Sequence, residues 1–101
     1  MKVIIIGAHG EAKELINRIS SGWSISVVDI DQDKLRNFTT NRQIEKIQGD
    51  GTSALVLRKA GLDQATAVVT LTVDDEVNLE ILNKISIKHC VSRKKDVSNG
   101  L

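Results

Sequence analysis

Short apolar runs alternate with amphipathic stretches along almost the whole chain. Lys2 to Gly7 reads KVIIIG, a β-branched run closed by glycine, which predicts a buried strand. Ala12, Leu15, Ile16 and Ile19 then recur at helical spacing, with Glu11, Lys13, Glu14, Asn17 and Arg18 between them. That pattern predicts an amphipathic helix, with Gly22 as its C-terminal cap. Ser24 to Asp29 (SISVVD) predicts a second strand, and Asp31 opens a short helix with Leu35 and Phe38 on one face. A weaker third strand carries Ile44 and Ile47 and ends at Gly49-Asp50-Gly51. Thr52 is the expected N-cap of a helix through Ala60, closed by Gly61. Thr66 to Leu71 (TAVVTL) predicts a fourth strand. Thr72 and Asp75 have capping-box spacing before a helix that carries Val77, Ile81, Leu82 and Ile85 on one side. Lys88 to Ser92 is a candidate fifth strand.

Repeated strand–helix alternation implies right-handed crossovers and a parallel sheet. The expected fold is α/β, a Rossmann-like three-layer α/β/α sandwich. Its sheet should hold about five parallel strands in the order 3-2-1-4-5. One domain is expected over residues 1–93, with 94–101 as a polar tail that frays. Composition sharpens this picture. Proline is absent and Trp23 and Phe38 are the only aromatic residues, so the core must be aliphatic. Such cores suit sheets buried on both faces.

Charge and cysteine content narrow the partners. A net charge of +1 gives no electrostatic case for nucleic acid or an anionic membrane. Cys90 is the only cysteine, so no internal disulfide forms and a reducing compartment is expected. The longest apolar run, Val3 to Ile6, is far too short to span a bilayer. The expectation is a cytoplasmic chain without direct membrane insertion.

The candidate chemistry starts where the first strand meets its helix. Gly7-Ala8-His9-Gly10-Glu11-Ala12 occupies the place of a G-x-G-x-x-G fingerprint. The first glycine of that motif permits a tight turn, the second lets backbone approach a pyrophosphate, and the third lets helix and strand pack closely. Gly7 keeps the first position, and Ala12 is a tolerated residue at the third. His9 at the second is the serious departure. Its ring either swings outward or contacts the phosphates itself; alternatively, the turn is only a tight connection and holds no ligand. Asp29 closes the second strand about 20 residues beyond the loop, where a carboxylate accepts from ribose hydroxyls and repels a 2′-phosphate. Asp31 is better placed to cap the next helix, which is expected to leave Asp29 for that role.

With these pieces placed, the chain resembles the nucleotide-binding domain of potassium-transport regulators, the Trk/Ktr-type regulatory subunits and RCK domains. The resemblance spans nearly all of residues 2–93. It is carried by KVIIIG with its turn, VVDIDQDKL at Val27–Leu35, GDGT at Gly49–Thr52, LRKAGL at Leu57–Leu62, ATAVVTLT at Ala65–Thr72 and DDEVNL at Asp74–Leu79. It implies that Asp50 lies by an adenine, that Asp29 holds the ribose, and that Gly7, His9, Gly10, Glu11 and Ala12 face phosphates. It further implies ligand contacts at Ile30, Gly51, Thr52, Thr70, Leu71 and Thr72, and a weaker one at Arg93. NAD or NADH is the first expectation, with ATP, ADP or AMP as alternatives. The implied role is a non-enzymatic sensor that regulates a membrane-embedded potassium transporter or channel subunit, held at the inner face of the membrane through that partner. Homo-oligomerisation is expected.

Two departures stand against this. Some members carry an arginine where this chain has Gly10, and members continue through a sixth strand and helix, so the fold is expected to be C-terminally shortened. Two other functions stay open: the cofactor half of an NAD-dependent oxidoreductase, for which 101 residues leave no substrate domain, and a scaffold that binds no nucleotide. His89 and Cys90 lack the further ligands a metal site needs. Asp74, Asp75 and Glu76 are expected to favour the positive end of their helix.

Overall fold

Alternate residues of the first strand decide the layering. The computed structural model describes residues 1–85 and 90–92. Its first strand is β1 (Lys2–Ile6). Val3 and Ile5 pack with Ala12, Ile16, Ile25, Val27, Leu35 and Phe38 on one face. Ile4 and Ile6 pack with Val28, Leu57, Val68, Ile81 and Ile85 on the other. Burying each such aliphatic side chain stabilises the fold by ~1.5–3 kcal/mol.

The remaining elements follow in order: α1 (Gly10–Arg18), β2 (Ser24–Asp29), α2 (Gln32–Asn37), β3 (Glu45–Gln48), α3 (Ala54–Lys59), β4 (Ala67–Thr70), α4 (Asp75–Lys84) and β5 (Cys90–Ser92). The sheet order is β3-β2-β1-β4-β5, and every pairing is parallel. The direction in which successive strands are added to the sheet therefore reverses between β1 and β4. That junction is the switch point at which α/β sheets bind ligands. The expected three-layer fold and strand order stand as described. The predicted strand start at 88–89 and the tail 94–101 lie outside the described residues, as does Arg93.

Three predicted caps are corrected. Gly22 does not close α1, which ends at Arg18 with Ile19 as its cap. Arg42 does that work from 23 and 26 residues away. Its Nη1 donates to the Ile16 and Ile19 carbonyls at 3.1 and 2.6 Å, and its Nη2 donates to the Ser20 carbonyl at 3.0 Å. A guanidinium at a helix C-terminus satisfies orphan carbonyls and opposes the negative end of the dipole. Arg42→Ala is expected to cost ~1–3 kcal/mol, read as a lower urea midpoint at unchanged slope. An unchanged midpoint would show that water replaces those bonds at no cost.

The other two caps shift by one or two residues. Ser53, not Thr52, precedes α3, because Thr52 is drawn into a turn with Asp50. Asp74, not Thr72, caps α4, its Oδ1 accepting from the Glu76 and Val77 amides at 2.9 and 3.3 Å. Asp31 caps α2 as expected, accepting from the Asp33 and Lys34 amides at 2.9 and 3.3 Å.

Candidate functional site

The β1–α1 turn is shaped by one glycine. Gly7 has φ +119°, a left-handed conformation that side chains rarely adopt. A Cβ there would stand 2.9 Å from the Leu71 carbonyl carbon and oxygen, so the turn lies directly against the loop after β4. The Gly7 amide donates to the Val28 carbonyl at 2.8 Å. The Ala8 amide donates to Asp29 Oδ2 at 2.8 Å, and the Asp31 amide donates to Asp29 Oδ1 at 2.8 Å. Asp29 is thus not left idle by the cap at Asp31. It binds the end of β2 to the glycine turn, and its side chain stays half-buried.

The His9 ring does not swing outward but turns toward the loop after β4. Its Nε2 is hydrogen-bonded to the Leu71 carbonyl, which requires the proton on Nε2. The ring therefore bridges the first loop to the loop after β4. Beyond β3, Asp50 Oδ1 accepts from the Thr52 amide at 2.9 Å and the Thr52 hydroxyl at 2.8 Å. A Cβ on Gly51 would stand 2.7 Å from Ile6 Cγ2 and 3.3 Å from Ile81 Cδ1, so this turn packs on the end of β1 and the side of α4.

The loop after β4 is organised by a buried amide. Asn78 is 0% exposed. Its Oδ1 accepts from the Thr72 amide at 3.1 Å and the Thr72 hydroxyl at 2.7 Å, while its Nδ2 donates to the Thr72 carbonyl at 3.1 Å. Asn78→Ala leaves the Thr72 backbone groups without that partner, at an expected ~1–3 kcal/mol. Thermal unfolding checks this; an unchanged midpoint would mean that the loop is not held by Asn78.

These turns enclose a cleft of about 430 Å³ over the carboxyl ends of β1, β2, β3 and β4. Gly7, His9, Asp29, Ile30, Asp50, Gly51, Thr52 and Thr72 come together in its walls. The other expected contacts do not. Gly10 and Glu11 are exposed on the first turn of α1 and are not part of the lining. Ala12 is buried in the core against Val3 and Ile5. Thr70 is buried in β4, its hydroxyl without a hydrogen-bond partner. Leu71 supplies its carbonyl to His9.

Lys34, Val73, Asp74, Val77, Glu80 and Ile81 also line the cleft and were not expected there. Val77, Glu80 and Ile81 stand at i, i+3 and i+4 on α4, so one helix face serves both core and cleft. That spacing was the available signal. Among the described residues, Asp29, Asp50, Asp74 and Glu80 line the cleft together with Lys34. Among the described residues, no group of three or more His, Cys, Asp or Glu side chains is placed to hold a metal, and no helix is long and apolar enough to cross a membrane.

With this geometry in place, the TrkA-N domain model matches residues 3–97. The chain belongs to the TrkA-N family. This TrkA-N domain is 38% identical over 80 residues to the Trk system potassium uptake protein TrkA of Halomonas elongata. It is 34% identical over 80 residues to the protein of the same name from Haemophilus influenzae. Each match covers 78% of this chain and 18% of the relative, so the chain spans less than a fifth of the length of these curated relatives. Among solved structures, the domain is similar to the NAD(P)-binding domain of an exopolyphosphatase-related protein from Archaeoglobus fulgidus. The TM-score is 0.76 at 21% identity, over 96% of this chain and 80% of that one. That likeness establishes the Rossmann-like fold.

Proposed function

We propose that this TrkA-N domain is a ligand-sensing module that binds NAD(H) or an adenine nucleotide and, through that ligand, regulates potassium transport by a membrane-embedded partner. One observation carries the ligand half of this reading: Asp29 and Asp50 close neighbouring strands and line one cleft beside the Gly7 turn. A carboxylate at the end of β2 accepts from ribose hydroxyls, and its charge disfavours a 2′-phosphate, so NAD is favoured over NADP. Ile30 is 66% exposed and lines the same cleft, giving the adenine an apolar surface. The transport half rests on the relatives, each named a Trk system potassium uptake protein. The role is binding, not catalysis. A ligand regulates only through unequal affinity for two conformations of its receptor. The partner is a potassium transporter or channel subunit, the protein is peripheral to the cytoplasmic face, and homo-oligomers are the expected assembly.

Thermal unfolding of the full chain with NAD⁺, NADH, NADP⁺, ATP, ADP and AMP tests the ligand. At about a hundred times its dissociation constant, a ligand is expected to add ~2.7 kcal/mol of stability. The expected ranking places NAD⁺ above NADP⁺. No shift with any of them would instead favour a scaffold that acts through protein contacts.

A further inference from the structure

We infer that in this chain the cleft takes its ligand by the adenosine moiety alone, and that phosphates add no affinity because the His9 imidazole fills their seat. The inference rests on the nucleotide reading above and names which part of the ligand is recognised.

The second position of this turn is where backbone normally approaches a pyrophosphate. Here that position carries a ring hydrogen-bonded to a carbonyl 62 residues away. The Gly7 turn presses on the same Leu71 peptide, and the Leu71 amide donates to the Ile6 carbonyl at 2.8 Å. The imidazole thus closes the gap between the loops after β1 and β4, across which a diphosphate runs at the switch point of such a sheet. His9 lines the cleft, whereas Gly10 and Glu11 do not.

Chemistry points the same way. The Nε2 proton is committed to Leu71, so a neutral ring presents only the Nδ1 lone pair, which cannot donate to a phosphate oxygen. Glu11 places a carboxylate in the first turn of α1, where it offsets the positive end of the helix. A carboxylate offers about four lone-pair sites, so Asp29 keeps acceptors for ribose after serving two amides. Ile30 and Val73, both exposed and both in the lining, offer apolar faces to a base.

The test is calorimetric titration of the full chain with adenosine, AMP, ADP and NAD⁺. In the native protein the four dissociation constants are expected to agree within about threefold. In His9→Gly, circular dichroism and retained adenosine binding report that the variant is folded. ADP and NAD⁺ should tighten by about tenfold or more. His9→Ala, which keeps a Cβ in the same extended backbone, should gain in the same direction. Native protein that binds ADP or NAD⁺ about tenfold tighter than adenosine would overturn the inference and leave the nucleotide reading intact. Glycine and alanine variants that gain nothing for phosphates would overturn it likewise. Binding of none of the four by any variant would end both.

Discussion

Gly7→Ala is expected to remove a large share of the protein's stability. Two penalties act together at this position. A side-chain residue held at φ +119° is strained, at ~1–3 kcal/mol. The new Cβ would also meet the Leu71 carbonyl carbon and oxygen at 2.9 Å, and backbone cannot rotate aside as a side chain can. Forcing such a contact costs a further ~1–3 kcal/mol. Domains of this kind are stable by ~5–15 kcal/mol, and a chain of 101 residues falls toward the low end. Gly10→Ala is the matched control. No atom lies within 4 Å of a Cβ there, and its φ is not positive. At the first position of α1, alanine should be neutral or stabilising by ~0.5–1 kcal/mol. Urea denaturation of both variants checks the pair. Equal midpoints would show that the turn does not press on Leu71.

Asp29→Ala is expected to weaken adenosine by about 10- to 100-fold, the worth of one or two charge-assisted hydrogen bonds to ribose. It should also lower stability, because the Ala8 and Asp31 amides both lose their acceptor. The two effects are separable. Titration well below the variant's melting temperature reads affinity on folded protein, and denaturation reads the rest. A destabilised variant with unchanged affinity would leave Asp29 as a brace for the turn only.

Much of this architecture was legible in local pattern. KVIIIG announces a strand buried on both faces, and the structure divides Val3 and Ile5 from Ile4 and Ile6 across the sheet. Asp29 was singled out because it closes a strand about 20 residues after the glycine turn, whereas Asp50 entered only through the family resemblance. Contacts made at long range were not. Arg42 caps a helix 23 residues or more upstream, and His9 finds its partner 62 residues downstream. No local pattern encodes either. Capping was misread for a nearer reason. Thr52 and Thr72 are both good caps, but each had a stronger competitor at short range: Asp50 for Thr52 and Asn78 for Thr72. The α4 wall of the cleft was readable as a helix face, but no local pattern shows that Val77 and Ile81 serve both core and cleft.

The most direct measurement is an amide ¹H–¹⁵N NMR titration of the full chain with adenosine. Saturable shifts are expected at Gly7, Asp29, Ile30, Asp50, Gly51, Thr52 and Thr72, with small effects at the exposed β3 residues Glu45 and Lys46. Saturable shifts confined to other faces, or no saturable shift at all, would contradict the assignment of the cleft over the carboxyl ends of the strands.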